Sequence, residues 1–267
     1  MEEGSSAWSL RRMRVYDQCP TQYKYHYYDS HLAYKDDCSL FHKKLYDRRH
    51  EKGLDDLYRD SLYSTLPILF SEGHRSKKVN EEFESKLYRA LQSYPELDRE
   101  ALADDFFIKF GKCISAIMNL QEFSWLSPQP HNLYFNEFIT FEADDATIDL
   151  FLPLAWRSEG KINVLHISSK QCDQKQVDLA AYYFFKVYNN DLENFAFWNL
   201  SGTHDKWNIS RKTAAYESLL NLRELIMKTT SLLNNWQNDF PFSENMALCQ
   251  ACKYFSLCEK FENQGFK

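Results

Sequence analysis

Cys249, Cys252 and Cys258 fall within ten residues, in the spacing C-x2-C-x5-C. Three thiolates at that spacing can point into one small volume, and a metal centre of this kind needs a fourth ligand. The best candidate is Cys19, about 230 residues earlier. It directly precedes Pro20, which fits the first turn of a helix, and the backbone N–H groups at such a start favour a thiolate. Four thiolates suit zinc or a 4Fe–4S cluster. Structural zinc usually draws on two close pairs held on turns, whereas here one triplet is combined with one distant cysteine. Tyr254, Phe255 and Leu257 lie among the triplet and would shield a cluster from water. The bland alternative is three unrelated buried cysteines. Cys38, Cys113 and Cys172 show no ligand spacing and read as small core residues or free thiols.

The whole composition bounds what such a centre can serve. A chain of 267 residues can bury a sizeable core. With 44% hydrophobic and 16% aromatic residues it is expected to be folded over most of its length. Seven glycines and seven prolines favour long regular elements. No apolar run approaches the roughly eighteen residues of a membrane span, and residues 1–6 lack the basic and apolar regions of a signal peptide. A cytoplasmic chain is therefore expected, in which seven cysteines are better read as metal ligands and free thiols than as disulfides. The net charge of −6 argues against coating nucleic acid by bulk charge and leaves room for a local basic groove.

The positioning elements follow from periodicity. Residues 8–18 read as a short helix carrying Arg11, Arg12 and Arg14, a solvated face or a phosphate contact. Residues 38–72 and 78–93 and the segment from about Asp98 to Leu120 are helical in pattern, the last with Phe106, Phe107, Phe110, Ile114, Ile117 and Met118 as its apolar stripe. The period then changes, and residues 133–142, 147–156 and 161–169 read as strands. In the second strand Ile148, Leu150, Leu152 and Leu154 alternate with Asp149, Phe151 and Pro153, so Asp149 is opposite in parity to the leucines and free to face a cleft. A helix over 174–189, short strands over 194–200 and 205–210, and a long helix from Thr213 to about Trp236 complete an α/β core behind a helical N-terminal region.

Cys19-Pro20-x-x-Tyr23-x-Tyr25-x-Tyr27 at the start, with Cys249-x2-Cys252-x5-Cys258 at the end, resembles the iron–sulfur branch of the RecB-like nucleases. That branch belongs to the PD-(D/E)XK superfamily and includes the CRISPR-associated iron–sulfur exonucleases. The resemblance follows the order of elements along nearly the whole chain. It implies a single domain over 1–267 with a restriction-endonuclease-like core, a mixed sheet flanked by helices. Residues 1–28 and 240–267 would be cluster-binding ends, 29–128 the helical region and 129–239 the α/β core. It further implies a 4Fe–4S cluster on Cys19, Cys249, Cys252 and Cys258 that ties the termini together.

The family cleaves phosphodiesters with carboxylates that hold Mg²⁺ or Mn²⁺ and a lysine that steadies developing charge. Asp149 matches the first acid, and Lys170 matches the lysine of the D/E-x-K strand. Ser168, a poor ligand for a hard dication, stands where the second acid belongs. The upstream metal-binding histidine has its best match in Phe41-His42-Lys-Lys-Leu45-Tyr46, which lacks it. The family's Gln-x3-Tyr is matched by Asp178-x3-Tyr182, both on one helix face. Asp178 and Glu137 are the carboxylates that relocation would recruit as metal ligands beside Asp149. His166 shares a strand face with Ser168 and Lys170 and reads as a hydrogen-bonded core residue or a further ligand.

Three functions are therefore expected to compete. The first is a non-catalytic iron–sulfur protein that binds DNA, single-stranded or with free ends, in processing, repair or defence, with a protein partner in a larger complex. The second is an active Mg²⁺- or Mn²⁺-dependent DNase using Asp149, Asp178, Lys170 and Tyr182. The third is a zinc-stabilised interaction protein.

Overall fold

The structure, a computed structural model, describes residues 7–72, 77–92, 94, 99–119, 133–158, 160–168, 172–203, 206–235, 237 and 239–262. In chain order the helices are α1 (Leu10–Gln18), α2 (Pro20–Tyr27), α3 (Leu40–His50), α4 (Leu54–Glu72), α5 (Lys77–Leu91) and α6 (Arg99–Met118). Strands β1 (Leu133–Ala143), β2 (Ala146–Ser158) and β3 (Lys161–Ser168) follow, then α7 (Gln174–Tyr188), β4 (Phe195–Thr203), β5 (Lys206–Lys212) and α8 (Tyr216–Asn234). The short helices α9 (Met246–Gln250) and α10 (Glu259–Glu262) come last. The helical pattern over 38–72 is thus two helices, and α4 runs on past Pro67.

The strands form one mixed sheet in the order β1-β2-β3-β4-β5. β3 pairs antiparallel with β2 and parallel with β4, and β4 pairs antiparallel with β5. Parallel neighbours need a crossover, and α7 supplies it. Residues Val177 to Phe184 of α7 are all buried, so this helix is enclosed around its whole circumference. Asp173 caps its start and Asn189, left-handed at φ 49°, closes its end. Asp144 and Asp145, at φ 51° and 64°, make the two-residue turn between β1 and β2.

The described residues group into two compact units. One comprises Met1–Glu51, Thr140–Asp149 and Arg223–Lys267; the other comprises Lys52–Ile139 and Leu150–Leu222. Both cysteine-bearing ends therefore lie in the first unit. The second unit has the larger core. Leu62 and Leu66 of α4, Phe83 and Leu87 of α5, and Phe106 and Phe110 of α6 pack with Leu154, Trp156, Leu165, Ile167 and Leu200 of the sheet. Phe83 and Phe110 stack with centroids 4.0 Å apart. The stripe expected on α6 is ordinary core.

In the first unit, residues ahead of α1 join the sheet. The Trp8 amide donates to the Thr147 carbonyl and the Trp8 carbonyl accepts from the Asp149 amide, both at 2.7 Å, in a parallel bridge to Ile148. Arg12 does not sit on a solvated face. It is buried, donating to the Tyr23 hydroxyl at 2.6 and 3.0 Å, to the Ala7 carbonyl at 2.7 Å and to the Leu233 carbonyl at 3.2 Å. Its acceptors come from both ends of the chain, so it is a brace between them, whereas Arg11 and Arg14 remain exposed.

Candidate functional site

Cys19 ends α1 and caps α2. Its Sγ accepts the Gln22 amide at 3.4 Å, and Pro20 occupies the first helical position as its fixed φ requires. At the other end of the chain, Asn245 caps α9 by accepting the Ala247 and Leu248 amides at 3.1 and 3.2 Å. A run of tight turns then coils the segment. Cys252 donates to the Cys249 carbonyl, Phe255 to Cys252, Leu257 to Tyr254, and Cys258 to Phe255. Capped helix and coiled turns together set Cys249, Cys252 and Cys258 around the same space as Cys19. All four line one cavity of about 390 Å³, counting its open mouth.

The surroundings of that cavity are largely aromatic and aliphatic: Tyr25, Phe242, Leu248, Tyr254 and Phe255 also line it. Tyr25, Leu45 and Tyr254 form a small buried cluster against which Phe41, Cys252, Leu257 and Cys258 pack. The Phe41 segment, matched in the sequence to a metal-binding helix, thus packs beside the cysteines, with the Phe41 ring 5.8 Å from that of Tyr25. The alternating tyrosines of α2 do not split into buried and exposed faces. Tyr23 and Tyr25 are buried and Tyr27 is half-buried, because partners cover α2 on several sides. Thr21 donates to the Phe240 carbonyl at 2.6 Å, Tyr23 to the Leu233 carbonyl at 2.7 Å, and His26 Nδ1 lies 2.8 Å from the Tyr254 hydroxyl.

Burial pushes the Cys252 and Cys258 thiols up, and neighbouring cysteines, Cys19 and Cys249 among them, push in the same direction. Thiols so placed ionise when a bound cation offsets both effects. Burial likewise holds His26 far below the usual imidazole range, at about 3, assisted by Lys253, Arg11, Arg49 and His50. Lys253 donates to the Arg49 carbonyl at 3.0 Å. The sequence pattern gave no sign of this cationic shell, because its members are scattered over the two chain ends.

The carboxylates proposed for catalysis lie elsewhere. Asp149 is half-buried on β2 with the parity expected from its neighbours, and accepts the Thr140 hydroxyl at 2.7 Å. Glu137 is exposed on β1. Asp178 is buried on α7, where one carboxylate oxygen accepts from Gln174 Nε2 and from the Ser218 hydroxyl, each at 2.9 Å. Gln174 stands one turn before Asp178, and Tyr182, also buried, one turn after it. His166 Nδ1 lies 3.2 Å from Asn199 Oδ1, the cross-strand hydrogen bond of a core histidine. Lys170 lies outside the described residues. Asp149 belongs to the first unit, and Glu137, Asp178 and Tyr182 to the second. Among the described residues, no three His, Cys, Asp or Glu side chains converge on a single metal-ion position. No described helix is long and apolar enough to cross a membrane.

No family model and no curated protein matches the sequence. Solved structures do match. A crystal structure from Eubacterium rectale, described provisionally as an exonuclease, aligns over 97% of this chain and 97% of its own, with a TM-score of 0.50 and 13% identity. The structure of SSO0001 aligns over 83% of this chain and 94% of its own at 13% identity, with a TM-score of 0.31. The mixed five-stranded sheet and its helices therefore share their fold with the Eubacterium rectale structure.

Proposed function

We propose that the chain is an iron–sulfur nucleic-acid-binding protein of RecB-like nuclease fold, acting in DNA processing, repair or defence, with a degenerate catalytic site. The observation that carries this reading is the convergence of Cys19 with Cys249, Cys252 and Cys258 on one cavity. These four hold a 4Fe–4S cluster, which clasps the chain ends. Around one zinc ion, four sulfurs at about 2.3 Å in tetrahedral array stand roughly 3.8 Å from one another. A cluster offers each thiolate its own iron and so suits sulfurs spread around a cavity. The apolar lining and the Lys260 side chain, which lines the cavity and lowers the Cys258 thiol against the upward push of its burial, favour an anionic, water-sensitive group there.

The weak catalytic reading rests on the carboxylates. Ser168 replaces one of them, Asp149 is engaged by Thr140, and Asp178 braces Gln174 and Ser218. DNA with single-stranded segments or free ends is the proposed ligand, by analogy with the exonuclease-like fold. The alternative is an active Mg²⁺- or Mn²⁺-dependent DNase with a relocated acidic ligand.

Anaerobic purification with iron and zinc analysis tests the cofactor, and binding and cleavage of single-stranded oligonucleotides in Mn²⁺ test the rest. The expected outcome is a brown protein with about four irons per chain that binds the oligonucleotide and leaves it intact. Zinc without iron would replace the cluster by a structural zinc. Robust cleavage lost in both Asp149→Ala and Asp178→Ala would establish a working, rearranged nuclease site.

A further inference from the structure

In the second unit, α4, α6, β3 and β5 enclose a depression of about 370 Å³, counting its open mouth. Lys109 of α6 lines it with its side chain only 7% exposed. The Lys109 ammonium makes no hydrogen bond to any described residue. Asp55 Oδ1 is 3.7 Å away on a carboxylate that is 74% exposed, and the ring of Tyr58 lies beneath, 4.5 Å to its centroid. An ammonium has three donors to satisfy, and a water-screened carboxylate at that range holds it weakly.

The other walls repeat the pattern. The Tyr58 hydroxyl and the Trp207 indole N–H are both buried with no acceptor among the described residues. Arg59 lines the same depression, with one of its nitrogens on Asp56. Ser168 lines it at the end of β3, already engaged elsewhere and not among the under-used donors. Buried donors are nearly always paired, so several under-used donors around one space describe the shape of a missing acceptor. Asp55 is the single carboxylate lining the depression, and Asp56 is engaged by Arg59. Two cationic side chains beside Asp55 make a poor seat for a hard dication, which needs several anionic or carbonyl oxygens. The same walls suit an oxyanion, with Arg59 offering a planar fork and Lys109 a point charge.

We propose that this depression is a phosphate-oxyanion site, in which Lys109 and Arg59 grip a phosphate of a nucleic-acid strand and Tyr58 and Trp207 add neutral donors. The strand as the source of the phosphate rests on the nucleic-acid reading above; the oxyanion chemistry does not. With Ser168 in place of an acid, side-chain cations bind phosphate at the end of β3.

Calorimetric titration of the full-length protein with inorganic phosphate, alone and in competition with a single-stranded oligonucleotide, tests this. Phosphate is expected to bind and to compete with the oligonucleotide. Lys109→Met and Arg59→Gln should each weaken phosphate binding about tenfold, the loss of one charge-assisted hydrogen bond. Arg59 is 44% exposed, so its variant remains informative where the buried Lys109 variant fails to fold. Unchanged phosphate affinity in Arg59→Gln overturns the proposal, as does an absence of phosphate binding, whether or not the oligonucleotide binds. Phosphate binding that is weakened in the variants yet indifferent to the oligonucleotide upholds the oxyanion site and removes the strand as its source.

Discussion

Burial and the nearby cations Lys253, Arg11, Arg49 and His50 hold His26 neutral, with a pKa near 3 against about 6.5 in an unfolded chain. Between those values the unfolded state binds a proton that the folded state refuses. Stability is therefore complete above about pH 6.5 and falls as pH is lowered toward 3, by up to about 1.4 kcal/mol per pH unit. His26→Gln, which can still bond the Tyr254 hydroxyl, should flatten this fall in denaturant titrations across that window; equal slopes in the two proteins would show that His26 is not its source. Residues of this kind mark the limit of the sequence. That Cys19 and the C-terminal triplet share one cavity was legible from residue type and spacing. Arg12 and Lys109 were not, because a charged residue in a helical pattern reads as a solvated face. What buries Arg12 is a carbonyl 221 residues away.

At the scale of the elements, periodicity was enough to place the sheet and most helices, since apolar repeats of two and of about 3.6 residues are local properties. Asp149 came out with the right parity for the same reason. The break between α3 and α4 was missed because the leucines on either side of it, Leu45 and Leu54, fit one long pattern, although residues 47–53 between them carry no apolar side chain. The Trp8 bridge was missed because one residue has no period. α5 depends on its apolar face, and Phe83 is that face's most enclosed ring, stacked on Phe110. Phe83→Ala should cost about 3–5 kcal/mol, read as a lower denaturant midpoint. A loss under about 1 kcal/mol would mean that neighbouring rings collapse into the space.

For the molecule as a whole, the chain ends are what a cofactor would hold. Closing a loop of about 230 residues stabilises a fold by about 5 kcal/mol in chain-entropy terms, or roughly 10–20 °C in a chain of this size. Cys252→Ser should therefore lower both the iron content and the melting temperature by about that much. An unchanged melting temperature together with unchanged iron content would remove the clasp from the account. The α/β fold with its mixed sheet was legible in the order of elements, because strand and helix periods can be read segment by segment along the chain. The division into two units was not, since each gathers segments far apart in the chain.

The distance between Cys19 and Cys249 also sets a clock. A ribosome adding about 5–20 residues per second releases Cys19 roughly 10–50 s before its three partners exist. During that interval the first thiol has no site to belong to and stands open to oxidation. The four-thiol cavity can be filled only once the last of the cysteines has been made. A chain that stalls before Cys249 would lack three of the four thiols, so loading of the proposed cluster would report that the segment carrying them has been made.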